Sequence, residues 1–137
     1  MSLVLDASAA LAWIYQDEIT GASHEILDRV AAGGAWVPAI WRLEIGNGLR
    51  TGMRRGRIDA SYRDQALATL ALYDIKEDPE TWQHSWGMTL RVADQFGLTP
   101  YDAAYVELAQ RRALPVAALD RQIRDAARAL GLPLIGD

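Results

Sequence analysis

Four acidic side chains, Asp6, Glu44, Asp102 and Asp120, stand where carboxylates could act together. Asp6 and Asp120 are each the first polar residue after a short apolar run, Leu3-Val4-Leu5 and Pro115-Val116-Ala117-Ala118-Leu119. Either aspartate could simply cap the helix that follows it. Asp102 comes three residues after Thr99, with Pro100 between them. Thr-Pro-x-Asp reads as a capping box, and a helix N-terminus also helps keep a carboxylate ionised. Glu44 is the odd one. Ile40, Trp41, Ile45 and Leu49 form the apolar stripe of its helix, so Glu44 runs along the edge of a buried face while Arg42 points to solvent. A glutamate placed there needs either a partner such as Arg91 or a metal.

Strand-end aspartates, a helix-start aspartate and a half-buried glutamate can meet in one crevice. Unscreened, like charges about 4 Å apart cost on the order of 4 kcal/mol per pair at an effective dielectric of about 20. A magnesium or manganese ion removes that penalty, because hard cations take oxygen ligands and tolerate several waters. Ions held this way serve phosphoryl chemistry by polarising the phosphate and activating water.

The elements that must position these acids alternate between strand and helix. Strands are expected at 3–5, 35–37, 74–76, 115–119 and 132–135. Helices are expected at 8–16, 20–32, from Pro38 to about 55, and at 60–73, 81–96, 100–112 and 122–130. Gly33-Gly34, Gly97 and Gly131 serve as stops, and Asp59 as a cap. Gly46, Gly48 and Gly52 weaken the third helix and read as marks of close helix packing. Strands separated by helices imply parallel pairing through right-handed crossovers. The fold class is therefore α/β, a three-layer α/β/α sandwich around a short parallel sheet, and residues 1–137 read as a single domain.

Composition excludes several chemistries. With no cysteine there is no disulfide, thiolate nucleophile or cysteine-bound zinc. His24 and His84 fall mid-helix in unrelated segments, which argues against a histidine-based nuclease. The start carries no basic leader and no run is long enough to span a bilayer, so a cytoplasmic protein without membrane contact is expected. The net charge is −4, yet all but one of the 14 basic residues are arginine. Arg50, Arg54, Arg55 and Arg57 make a local basic patch, which could grip RNA phosphates, face an acidic partner, or be a solvated helix end. The five tryptophans read more readily as core than as interface.

These blocks also resemble a known family. Leu3-Val4-Leu5-Asp6-Ala7-Ser8-Ala9, Trp41-Arg42-Leu43-Glu44-Ile45-Gly46-Asn47, Leu98-Thr99-Pro100-Tyr101-Asp102-Ala103-Ala104-Tyr105 and Ala118-Leu119-Asp120-Arg121 are similar, in order and spacing, to the acidic motifs of PIN-domain proteins. Within that family they resemble the VapC toxins of toxin–antitoxin pairs. The resemblance implies a magnesium- or manganese-dependent endoribonuclease, a homodimer silenced by a cognate antitoxin. It puts Asp6 and Asp102 as main ligands, Glu44 completing the shell or orienting water, and Asp120 on a second metal or a bound water. Ser8 and Asn47 match supporting polar positions. Ala118 departs from the pattern, since a hydroxyl residue is common there, and this leaves the orientation of Asp120 open.

Two other readings use strand-end acids in an α/β fold. A receiver-type signalling module needs paired acids after the first strand and a late lysine, and here Asp6 stands alone and the sole lysine is Lys76. A PIN-like module that holds an antitoxin or RNA without cutting is the remaining alternative.

Overall fold

In the computed structural model, which describes residues 1–136, five short strands form one parallel sheet. They are β1 (Val4–Leu5), β2 (Ala35–Val37), β3 (Ile75–Glu77), β4 (Val116–Ala117) and β5 (Leu134–Ile135), ordered β3-β2-β1-β4-β5. The central strand is short but wholly buried: Leu3, Val4 and Leu5 have almost no solvent exposure. Val4 pairs with Trp36 on one side and Val116 on the other. The chain builds outward from β1 to β2 and β3, then crosses to β4 and β5. The order therefore reverses between β1 and β4, and a crevice opens beyond the carboxyl ends of those strands.

Eight helices are described: α1 (Ala7–Ile14), α2 (Gly21–Gly33), α3 (Trp41–Arg54), α4 (Ala60–Leu70), α5 (Thr81–His84), α6 (Met88–Phe96), α7 (Pro100–Arg112) and α8 (Arg121–Ala129). They pack as two groups, α1 with α2 and α3, and α7 with α6 and α8, which gives the three-layer α/β/α sandwich. α7 carries the longest unbroken buried run; every residue from Ala103 to Ala109 is inside, Glu107 included. α3 lies tight against the first layer. A Cβ on Gly48 would stand 2.4 Å from the Leu11 side chain, and one on Gly52 would stand 2.0 Å from the Tyr15 hydroxyl. Only glycine permits that approach. Gly46, in contrast, faces open space.

Three expected helices differ, the one at 60–73 by ending at Leu70. The stretch 81–96 is not one helix, for it breaks at 85–87 into α5 and α6 around Gly87, where φ and ψ are both −107°. The break leaves Trp86 91% exposed and Trp82 66% exposed, so these two tryptophans are not core. The third helix begins at Trp41 rather than Pro38: Pro38 and the turn behind it precede the helix, and the Pro38 carbonyl accepts the Trp41 N–H at 3.0 Å.

Candidate active site

Asp6, Glu44, Asp102 and Asp120 line one cleft of about 490 Å³, together with Ser8, Leu11, Leu43, Asn47 and Tyr101. Each acid arrives by a different route. Asp6 leaves β1 with its N–H bonded to the Ala117 carbonyl at 2.9 Å, which ties it to the neighbouring strand. Its own carbonyl starts α1, but its carboxylate caps nothing. It is 5% exposed and accepts a hydrogen bond from the Ser8 hydroxyl. The capping role open to Asp6 on sequence is thus not the one its side chain takes.

Asp102 sits in the first turn of α7, where the Thr99 hydroxyl accepts its N–H at 3.1 Å. Thr99 therefore does the capping and leaves the Asp102 carboxylate to the cleft. Glu44 is half-buried and accepts a hydrogen bond from the Tyr105 hydroxyl, so its protein partner is not Arg91. The sequence reading missed Tyr105. The signal was there, since Asp102 and Tyr105 are three apart on one helix and share a face. Asp120 does cap: one of its oxygens accepts the Ile123 N–H of α8 at 3.0 Å. That bond answers the question left by Ala118. A helix N-terminus orients Asp120 in place of a neighbouring hydroxyl, and its second oxygen stays free of that bond.

Electrostatics set this cluster apart. No ion pair among the described residues involves any of the four acids. Burial pushes Asp6 from 3.8 to about 7, and Glu44, Asp102 and Asp120 push it further in the same direction, against the opposing hydrogen bond from Ser8. Burial and Asp102 raise Glu44 despite the Tyr105 bond. Burial and Asp120 raise Asp102. Tyr105, buried and donating to Glu44, holds its own proton far above the ordinary tyrosine value. The site is short of positive charge.

The donor chemistry suits a hard divalent cation. Every candidate ligand is an oxygen, and nothing cationic competes for them. Among the described residues no three acid or histidine side chains are drawn close enough to ring an ion as they stand. An ion that keeps several waters needs few direct carboxylate bonds, and the open cleft leaves space for them.

The remaining expected residues fall in different places. Asn47 lines the cleft but is exposed, and its side chain makes no hydrogen bond to the acids among the described residues. Arg57 is ion-paired within the chain. It pairs with Asp17 at 2.7 Å and Glu18 at 2.9 Å, and its guanidinium lies 4.1 Å from the Tyr15 ring centroid. Arg55 lines a smaller cleft that shares Ser8, Leu11 and Gly48 with the acidic one. Arg50 and Arg54 are exposed and form no ion pair among the described residues. Neither histidine reaches the site: His24 is exposed, and His84 is half-buried with Nε2 3.7 Å from Glu80.

Comparison with known proteins matches residues 3–129 to the PIN domain. VapC ribonuclease Mb0985 of Mycobacterium bovis is 30% identical over 128 residues, 93% of this chain and 92% of that protein. Ribonuclease VapC9 of Mycobacterium tuberculosis matches at the same identity and coverage, 30% over 93% and 92%. The crystal structure of PAE2754 from Pyrobaculum aerophilum shares the fold, with a TM-score of 0.63 at 23% identity over 92% of this chain and 84% of that one. The match over residues 3–129, on a parallel sheet whose strand order reverses beside the acidic cleft, makes this chain a member of the PIN-domain family.

Proposed function

We propose that this protein is a magnesium- or manganese-dependent endoribonuclease, the toxin of a toxin–antitoxin pair, which hydrolyses RNA phosphodiesters with an activated water. One observation carries the reading: four acids line one cleft with no ion pair to any of them among the described residues, and burial pushes the most buried of them up to about 7. Such a cluster is electrostatically unfavourable unless a cation or protons fill it. Asp6, Asp102, Glu44 and Asp120 are the residues that would hold the ion. When bound, it supplies Lewis acidity toward the phosphate and lowers the pKa of water.

The chain's own groups do the positioning. Ser8 orients the Asp6 carboxylate, Tyr105 holds Glu44 from across the cleft, and the α8 N-terminus fixes Asp120. The Tyr105 proton is too tightly held to be given up near neutral pH, so this tyrosine positions and does not act as an acid. The reading extends to a cognate antitoxin and a homodimer, as the family likeness implies, and to one PIN-like domain over 1–137 working in the cytoplasm. Asp137 lies outside the described residues. No described helix is long and apolar enough to cross a membrane.

The open spacing of the acids favours one rival, a PIN-like module that binds RNA or an antitoxin without cutting. Purified protein separates the two. The nuclease cleaves total RNA with magnesium, stops with EDTA, and loses activity as Asp102→Asn. A protein whose RNA products are unchanged by either treatment is the binding module. Mapping the cut ends then identifies the RNA.

A further inference from the structure

We propose that Tyr101 and Leu43 form an apolar clamp at the mouth of the acidic cleft, which takes up an unpaired nucleobase beside the phosphate to be cut. The inference rests on the ribonuclease reading above. Leu43 is 78% exposed and Tyr101 is 61% exposed, and both line the cleft with the four acids. Each stands immediately before an acid, Leu43 before Glu44 on α3 and Tyr101 before Asp102 on α7. The Tyr105–Glu44 bond ties those two helices together beneath them.

Tyr101 is not part of the hydrophobic core of the described residues. The hydroxyls of Tyr15 and Tyr62 donate to the Gly48 and Ile14 carbonyls, and that of Tyr105 to Glu44. No hydrogen bond of the Tyr101 hydroxyl is present among the described residues. Tyr73 also lacks one there but is half-buried against the core and beside the Trp13 ring, whereas the exposed Tyr101 has neither contact. Its backbone is nevertheless rigid, with Pro100 at the helix start and Thr99 capping the turn. A large ring on a fixed backbone costs little ordering entropy on binding.

Charge explains why such a clamp is needed. The cleft is acidic and so is RNA, so before any cation is counted the site repels its substrate. Arg57 is committed to Asp17 and Glu18, and Arg55 lies in the adjoining cleft. Contacts that do not depend on charge then add affinity close to the acids, beside what a bound cation and Arg55 would supply. Base stacking on an aromatic ring is such a contact, and it requires a base free of its helical stack.

Binding of a fluorescent single-stranded oligoribonucleotide to Asp6→Asn protein in EDTA tests this without cleavage. Tyr101→Ala in that background is expected to weaken binding by about 10-fold, and Tyr101→Phe by less than about 2-fold. An oligonucleotide carrying one abasic position at the mapped cut is expected to bind the Tyr101 protein as weakly as the intact one binds Tyr101→Ala. In otherwise wild-type protein with magnesium, Tyr101→Ala raises KM and leaves kcat near its starting value. Unchanged affinity in Tyr101→Ala overturns the clamp. So does a loss of affinity that ignores the abasic position, or one that tracks a change in sedimentation, which makes Tyr101 a contact between copies. Wild-type protein that never cleaves, yet binds the unmodified oligoribonucleotide about 10-fold more tightly than Tyr101→Ala, removes the ribonuclease reading and leaves Tyr101 as an RNA contact.

Discussion

The two ends of α7 carry acids in opposite circumstances. At its C-terminal end, Glu107 and the fully buried Asp78 face Arg111 and Arg112: Arg111 lies 2.6 Å from Asp78 and 2.8 Å from Glu107, and Arg112 lies 3.3 Å from Asp78. Burial alone would raise Asp78, but the Arg111 hydrogen bond, the Glu80 N–H and the two guanidinium groups outweigh it and hold the carboxyl below its ordinary value. At the N-terminal end, burial raises Asp6 to about 7 and nothing cationic opposes it. Both clusters contain a buried aspartate. The difference is that one is satisfied by the chain itself and the other is not, and the second is where chemistry is to be sought.

That contrast predicts opposite signs for similar mutations. Asp6→Asn is expected to cut RNA hydrolysis on the order of 100-fold or more, and to stabilise the metal-free protein at pH 8 by up to about 4 kcal/mol. The sign follows from proton binding. Between about pH 4 and pH 7 the folded Asp6 keeps a proton that the unfolded chain has lost, so the wild type loses stability as pH rises through that window. Urea denaturation at pH 5 and pH 8 reads both effects, and a flat wild-type profile in EDTA contradicts the assignment.

Asp78→Asn moves the other way. It leaves Arg112 without its ion pair and Arg111 with Glu107 alone at close range, and is expected to cost about 3 kcal/mol, measured by the same denaturation, with the specific activity of the folded fraction kept. Magnesium at about 100 times its Kd should stabilise the wild type by about 2.7 kcal/mol at pH 8. It should do so equally in Asp78→Asn, and much less in Asp6→Asn. Equal stabilisation of all three proteins places the ion elsewhere.

Tyr105→Phe removes the donor that holds Glu44. About 1 kcal/mol of stability should be lost, and hydrolysis should fall by about 10-fold. Asp120→Asn is the mildest in stability, less than about 0.5 kcal/mol by thermal or urea melting, because asparagine caps a helix as well as aspartate does. A large stability loss there would show that the charge of Asp120, not its cap, holds α8.

Much of the frame was legible because it is written in local rules. Apolar runs that end at an acid mark β1 and β4, and Gly34 and Gly97 take the left-handed φ values of 72° and 65° that end α2 and α6. The split between α5 and α6 was not legible, since nothing in 81–96 but Gly87 interrupts a helical pattern. The start of α3 was misread because Pro38 fits a first helical turn as readily as the turn before one.

The amino-acid sequence by itself determined which side chains are acids, that two of them follow apolar strands and that Thr99 caps the turn carrying Asp102. These depend on neighbours a few positions away. Which acids remain uncompensated was decided only by the tertiary structure. Arg57 is drawn to Asp17 and Glu18, Glu44 finds Tyr105 across 61 positions of chain, and Asp120 rather than Asp6 takes the capping role. Pairing is a matter of distances of a few ångströms between residues far apart in sequence. The packing of α1, α3 and α7 sets those distances, and no local pattern encodes them.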